Sequence, residues 1–394
     1  MTSIIRARRL IDGTGAPALK DAAVVVEGSR LVTVGPAREA ANTRGETIDL
    51  GDCTLLPGLF DAHTHLSFNY GDDLIGSSRG MPPEVRALRA ARNIRRDLKA
   101  GITTLRVTGE REFLDVTIKK AVEQGLIPGP RLVIATRGLA ATNGHGGETP
   151  GNAVDGPDEM RKAVRTNLRR GADLIKLLVT GSVDSPGGHF NCGFTREEIA
   201  AGVEEAHRGG KKVGAHSVRP EDIKLCIQEG VDAIEHGHIL DDECIAMMVE
   251  RGTWLVATLA IAIDEHVLAK DMELNPTFAD VEWLPRRRAA RESYRKAHQA
   301  GIRMACGTDA MHAQMAYELE SLVGAGIPPM DAILAATRNA AQLCDIDHLV
   351  GTLEAGKLAD VIAVRGDPLA TISAMRDVCF VMKEGRRYDT LSPE

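Results

Sequence analysis

The chain has 394 residues, which fits roughly two to three domains by a ~150-residue norm, or one large α/β barrel with additions. Lys and Arg number 48 and Asp and Glu 55, giving a formal net charge of −7 that offers no broad attraction to nucleic acid or an anionic membrane. A hydrophobic share of 43% permits a large core and excludes global disorder, while 3% aromatic residues leave few rings for stacking on single-stranded nucleic acid.

The first elements are short strands. Ala22–Glu27 (AAVVVE) and Arg30–Gly35 (RLVTVG) flank a Gly-Ser turn and predict a hairpin. Eight apolar strand candidates follow: Thr54–Leu66, Thr103–Gly109, Arg131–Gly138, Leu174–Gly181, Lys212–His216, Ala233–His238, Thr253–Ala260 and Arg303–Asp309. Between them lie amphipathic segments such as Pro83–Ala100, Asp158–Arg170, Thr195–Gly209 and Pro220–Gly230, with glycines at the helix stops. The final fifty-odd residues return to strand texture at Asp360–Val364 and Val378–Lys383. Alternating strands and helices predict an α/β fold with a parallel sheet, and eight units predict a closed (β/α)8 TIM barrel. Seven or nine strands would instead leave an open doubly wound sheet. The β-rich ends predict one side domain, 1–56 with 347–394, beside a barrel of residues 57–346.

Seven scattered cysteines without a CxxC pair predict reduced thiols rather than a disulfide framework. The opening MTSIIRARRLIDGTG lacks an apolar signal core, and no run approaches the ~18 apolar residues of a membrane span. A soluble cytoplasmic protein is expected, with neither membrane nor nucleic acid as partner.

The strongest signal is the placement of polar residues at strand ends. His63 and His65 close the first strand, Lys176 lies in the fourth, His216 ends the fifth, His236 lies in the sixth and Asp309 ends the eighth. In a barrel these ends share one mouth, where barrel enzymes place their active sites. Strand alternation points His63 and His65 the same way, with Asp61 at the same parity as a supporting group. An isolated HxH is also compatible with a core pair; the full set is far more specific. Lys176 stands inside an apolar run, where a bare ammonium is costly. It either pairs with an acid or reacts as a neutral amine with carbon dioxide, giving a carbamate whose two oxygens could bridge two cations. His63, His65, Lys176, His216, His236 and Asp309 would then hold two divalent metals. For Asp309 the competing reading is an N-cap before MHAQMAYELESLV.

These residues lie in PGLFDAHTHL (57–66), GITTLRVTG (101–109), GADLIKLLVTG (171–181), GKKVGAHS (210–217), GVDAIEHGHILDDE (230–243), GTDA (307–310), AATRNAA (335–341) and GTLEAGKLADVIAVRGDPL (351–369). Across nearly the whole chain they resemble the amidohydrolase superfamily in its binuclear, carboxylated-lysine form. The resemblance is to the Xaa-Pro dipeptidase-like, imidazolonepropionase-related branch, with prolidases, ochratoxin-degrading amidases and phenylurea hydrolases. It implies that His63 and His65 bind the more buried metal, that Lys176 is the bridging carbamate, and that His216 and His236 bind the second metal. Asp309 becomes both ligand and proton shuttle, and the termini form a small β-sandwich. Zinc is the expected metal, with manganese, cobalt or iron also suited to such ligands. The branch often assembles, so a homo-oligomer acting on a small molecule is expected.

Dipeptidases of the branch often carry a tyrosine two residues after the fifth-strand histidine; here that position is Val218. Arg219 follows and could bind a substrate carboxylate in its place, or simply be a solvated loop residue. His145, in ATNGHGG, matches a glycine-rich loop that the branch places near the substrate, the alternative being a surface histidine. His238 either lines the pocket or supports His236, and His312 is a weaker candidate. His189, His207, His266, His298 and His348 read as surface residues, Glu318 and Glu320 as a helix face, and Arg286-Arg287-Arg288 as a solvated face. The expected reaction is hydrolysis of an amide C–N bond in an N-acyl amino acid, dipeptide or xenobiotic amide. A metal-bridging hydroxide would attack, Asp309 would pass its proton to the leaving nitrogen, and His145 would help bind the oxyanion. Carbamate or urea hydrolysis, lactonase or phosphotriesterase chemistry would use the same ligands.

Overall fold

The computed structural model describes residues 2–68, 80–142, 144–146, 152–181, 193–265, 267, 269 and 283–388, the side chains of 283–287 excepted. The N-terminal strands are β1 (Thr2–Leu10), β2 (Leu19–Glu27), β3 (Arg30–Pro36), β4 (Glu46–Asp49) and β5 (Cys53–Pro57). With the C-terminal strands β15 (Val361–Arg365), β16 (Val378–Lys383) and β17 (Arg386–Arg387) they build one sheet, ordered β17-β16-β15-β5-β1-β2-β3 with β4 on β1. The β2–β3 hairpin pairs Glu27 with Arg30 around the Gly-Ser turn. Strand β5 joins the two ends of the chain, running parallel to β1 and antiparallel to β15 with Leu55 opposite Ala363. One side of this sheet buries Ile5, Leu10, Val24, Leu55, Val361 and Phe380 in a common cluster.

The stretch Thr54–Leu66 is not one strand. It breaks at Gly58: β5 serves the terminal sheet, and β6 (Leu59–Thr64) begins a parallel series. β6 pairs with β7 (Ile102–Val107), which pairs with β8 (Arg131–Ile134). The third candidate is also interrupted. Thr136 takes a left-handed backbone (φ 66), its N–H bonded to Asp115 Oδ2 at 2.7 Å, and the chain resumes as β9 (Leu139–Ala140). From β9 a second parallel series runs through β10 (Ile175–Leu178), β11 (Val213–Ser217), β12 (Ala233–His236), β13 (Trp254–Ala257) and β14 (Met304–Cys306). Backbone hydrogen bonds span both gaps between the series: Asp173 N–H donates to Ile134 O (2.7 Å) and Asp309 N–H to His63 O (2.8 Å).

Every residue of β6, β7, β10, β11, β12, β13 and β14 is buried, the pattern of parallel strands covered on both faces. Helices Pro83–Lys99, Pro157–Arg169, Arg196–Arg208 and Pro220–Gln228 connect them. Thr195 starts the third with a reciprocal capping box to Glu198. Glycines 101, 210, 230 and 301, placed after helix ends, all have positive φ. Among the described residues no helix is long and apolar enough to cross a membrane. The six described cysteines form no disulfide; Cys192 lies outside the described residues.

Candidate metal centre

The carboxyl ends of β6, β11 and β12, the second residue of β10 and the turn after β14 carry the polar residues of the site. His63, His236 and Asp309 bring one ligand atom each within 4.8 Å of one another. His63 and His65 point their Nε2 atoms at the same Asp309 oxygen, 3.5 and 3.4 Å away. The His236 ring lies 4.6 Å from that of His63 and 4.5 Å from that of His216. The His145 ring is 4.9 Å from His216.

Local backbone explains this convergence. The β11–β12 ladder sets His216 opposite Glu235, so regular alternation would send His236 to the other face. His236 instead has φ 68 and turns its ring back toward His216. Asp309 is likewise left-handed (φ 51) and caps no helix: the following helix runs Met315–Gly324 with Gln314 before it. Gly307 lets this turn approach β6, since a Cβ there would sit 2.7 Å from His63 Cβ and 2.8 Å from Asp61 Oδ1. Asp61 takes hydrogen bonds from Thr308 N–H (2.9 Å), Thr308 Oγ1 (2.5 Å) and His63 N–H (3.2 Å), tying the segments that carry His63 and Asp309 together.

The outer ring atoms are held too. His65 Nδ1 lies 2.7 Å from Gly109 O; a carbonyl only accepts, so this nitrogen donates, and Nε2 is the atom that faces Asp309 and can take either a proton or a cation. His236 Nδ1 bonds Thr258 Oγ1 at 2.8 Å, and His63 Nδ1 bonds Glu235 Oε2 at 2.8 Å. Such outer contacts orient imidazoles toward a cation.

Electrostatics favour a cation here. Burial drives the Asp309 carboxyl up, but His63, His65 and His236 outweigh it and hold it well below the usual carboxylate range. Burial, with His216 and His63 beside it, keeps His236 well below the ordinary histidine value, hence neutral. Burial lowers His65, but its bond to Asp309 prevails and raises it, so proton and cation compete for that lone pair. Lys176 is buried and its Nζ has no hydrogen-bond partner among the described residues. Burial brings its amine down to about 8. An orphaned amine near the neutral His236 imidazole and the ionised Asp309 carboxylate fits a site completed by metal, and leaves the amine free to become a ligand.

The other sequence candidates fall at varied distances. Arg219 Nε pairs with Asp222 Oδ2 (2.8 Å) at the start of helix Pro220–Gln228. His238 lies 5.5 Å from the His236 ring and 3.5 Å from Thr258 Oγ1. His312 is buried against Asp97 rather than among the clustered rings. Glu318 is fully buried, accepting from Leu259 and Ala260 N–H, not displayed on a helix face; Glu320 pairs with Arg376. His207 and His298 pair with Asp232 and Asp331, and His348 is exposed. His189 and His266 lie outside the described residues, as do the side chains of Arg286 and Arg287, while Arg288 is exposed. Sequence reading passed over Glu235 and Arg106, although each is a lone charge within a buried strand and needs an opposite partner.

The amidohydrolase family profile matches residues 54–388. Ochratoxinase of Aspergillus niger is 32% identical, covering 98% of this chain and 86% of that protein. The crystal structure of a Xaa-Pro dipeptidase with bound methionine in the active site superposes with a TM-score of 0.89 at 32% identity, covering 98% of this chain and all of that one. The A. niger ochratoxinase structure gives a TM-score of 0.87 at 30% identity, covering 98% and 95%. With these similarities spanning nearly its whole length, the chain belongs to the amidohydrolase family and is a hydrolase.

Proposed function

We propose that this enzyme hydrolyses an amide C–N bond of a small molecule, an N-acyl amino acid, dipeptide or xenobiotic amide, at a binuclear metal centre. The observation that carries the reading is the convergence of His63, His236 and Asp309, with Asp309 and His236 both within electrostatic reach of a buried Lys176 that has no hydrogen-bond partner among the described residues. The two parallel series are read as one closed (β/α)8 barrel, residues 57–346, with the terminal sheet of 1–56 and 347–394 as a β-sandwich side domain. His63 and His65 would hold one cation, His216 and His236 the other, with carboxylated Lys176 between them and Asp309 as a further ligand. Zinc is the first choice, and manganese, cobalt or iron suit the same donors. Divalent cations there would supply Lewis acidity to the carbonyl and lower the pKa of water.

The chain's own groups do the rest. Asp309, held ionised, takes the proton from attacking water and returns it to the departing nitrogen. His145, beside His216, binds the carbonyl oxygen as charge develops on it. Arg219, steadied by Asp222, meets a substrate carboxylate, and His238 lines the wall behind His236. The ochratoxinase and Xaa-Pro dipeptidase similarities support an amide substrate. A self-associating cytoplasmic enzyme completes the reading.

The test is a screen of N-acyl amino acids, dipeptides, carbamates and ureas with zinc- and manganese-loaded protein, alongside metal analysis. Two metals per chain and chelator-sensitive amide cleavage are expected. Activity unaffected by complete metal removal overturns the proposal.

A further inference from the structure

Two strands under the metal centre each bury one charge for which hydrolysis provides no obvious task. Arg106 lies in β7 and Glu235 in β12, with side chains 3% and 0% exposed. Arg106 Nη1 donates to Glu235 Oε1 (2.8 Å) and to Ala62 O (2.9 Å). Glu235 Oε2 accepts from His63 Nδ1 (2.8 Å). The two outer bonds of this network therefore end on adjacent residues, Ala62 and His63. The third strand, β11, makes room: a Cβ at Gly214 would collide with Glu235 Oε1 and lie 2.8 Å from Arg106 Nη2.

Stability does not account for such a pair, because desolvating two charges consumes most of what their attraction returns. Geometry supplies another reason. A neutral imidazole has two tautomers, and only one presents Nε2 as a lone pair toward Asp309 and His236. An anionic carboxylate accepts and never donates, so Glu235 makes the Nδ1–H form of His63 the favoured one. The guanidinium, with a second bond to the Ala62 carbonyl, fixes the carboxylate relative to the backbone that carries His63. Three strands thus set the angle of one ring.

We propose that Arg106 and Glu235 act as one positioning unit beneath the metal centre, fixing His63 with its Nδ1–H toward Glu235 and its Nε2 toward the cation. The inference rests on the metal-centre reading above. It predicts that Glu235→Gln weakens metal binding about 10–100-fold, the usual effect of removing a group that orients a ligating histidine. Glutamine replaces one of the two oxygens with an NH2, so Arg106 and His63 no longer both meet an acceptor where they now bond.

The experiment uses full-length protein stripped of metal. Co2+ is titrated in while its visible absorption is followed, and histidine 15N chemical shifts report the His63 tautomer. Glu235→Gln is expected to lower Co2+ affinity, shift the absorption bands and populate both tautomers. Should that variant fail to fold, Arg106→Met with Glu235→Leu removes both charges, leaves none unpaired and takes the acceptor away from His63 Nδ1; the same loss of affinity is expected. A folded variant with wild-type Co2+ affinity, spectrum and tautomer overturns the inference alone. Wild-type protein that takes up no Co2+ overturns the metal-centre reading, and this inference with it.

Discussion

His312 and Asp97 form a buried ion pair that ties the turn carrying Asp309 to helix Pro83–Lys99. His312 Nδ1 lies 2.8 Å from Asp97 Oδ2, its Nε2 3.1 Å from Phe68 O, and Asp97 Oδ1 accepts from Ala313 N–H (2.8 Å). Both histidine partners only accept, so the ring donates twice and is an imidazolium. The Phe68 ring stacks on His65 at 4.8 Å. One cation therefore joins the loop after His65 to the turn after Asp309.

Stability should fall at alkaline pH through this contact. Burial lowers His312, but Asp97 outweighs it and raises the folded value above the ordinary histidine range. The imidazolium's contribution is complete below the unfolded value of about 6.5 and is lost as pH rises through the raised folded value. Urea midpoints at pH 6 and pH 9 should differ more for wild type than for His312→Gln. Asp97→Asn, which strands the buried cation, should cost roughly 3–5 kcal/mol at pH 6.

Glu318 should act with the same sign, beginning at lower pH. Burial takes its carboxyl up to about 8, against the pull of the Ala260 and Leu259 N–H bonds. A folded value above the unfolded one favours the protonated, folded state, so this group's contribution declines as pH rises from about 4.5 to 8. Glu318→Gln should flatten that decline, whose steepest slope is about 1.4 kcal/mol per pH unit. Equal slopes for wild type and variant in calorimetric unfolding across pH 5–8 would refute the assignment.

Lys176→Ala should lose one metal and at least ~100-fold of its affinity for it, the upper end of what a merely supporting group costs. Bicarbonate with a short carboxylic acid should restore part of both metal content and activity. Two tightly held metals in the alanine variant, counted by elemental analysis, would exclude a bridging carbamate.

Asp309→Asn at full metal content should reduce kcat by roughly 10²–10⁴, the range for losing a positioned proton-transfer group. An unchanged kcat for amide hydrolysis in steady-state assays would remove Asp309 from proton transfer.

Much of the site was legible along the chain. A parallel α/β arrangement sends the carboxyl ends of its strands to one side, so His63, His216 and His236 could be gathered from strand position, and Lys176 from being a charge inside an apolar run. Local chemistry could not say that Thr54–Leu66 divides at Gly58 between two sheets, because both halves are equally apolar and only their pairing partners differ. Nor could it say that Asp309 turns left-handed toward the histidines instead of capping a helix, a choice enforced by Asp61 through Thr308.

The amino-acid order thus determined the alternation of strands and helices and which ends bear donor atoms, because periodicity and residue type act within a few positions. Tertiary structure alone decided that Arg106 meets Glu235 129 residues away, and that Asp97 meets His312 across 215. Those pairings depend on strand register and helix packing, and burial then makes each charge dependent on the partner that the fold supplies.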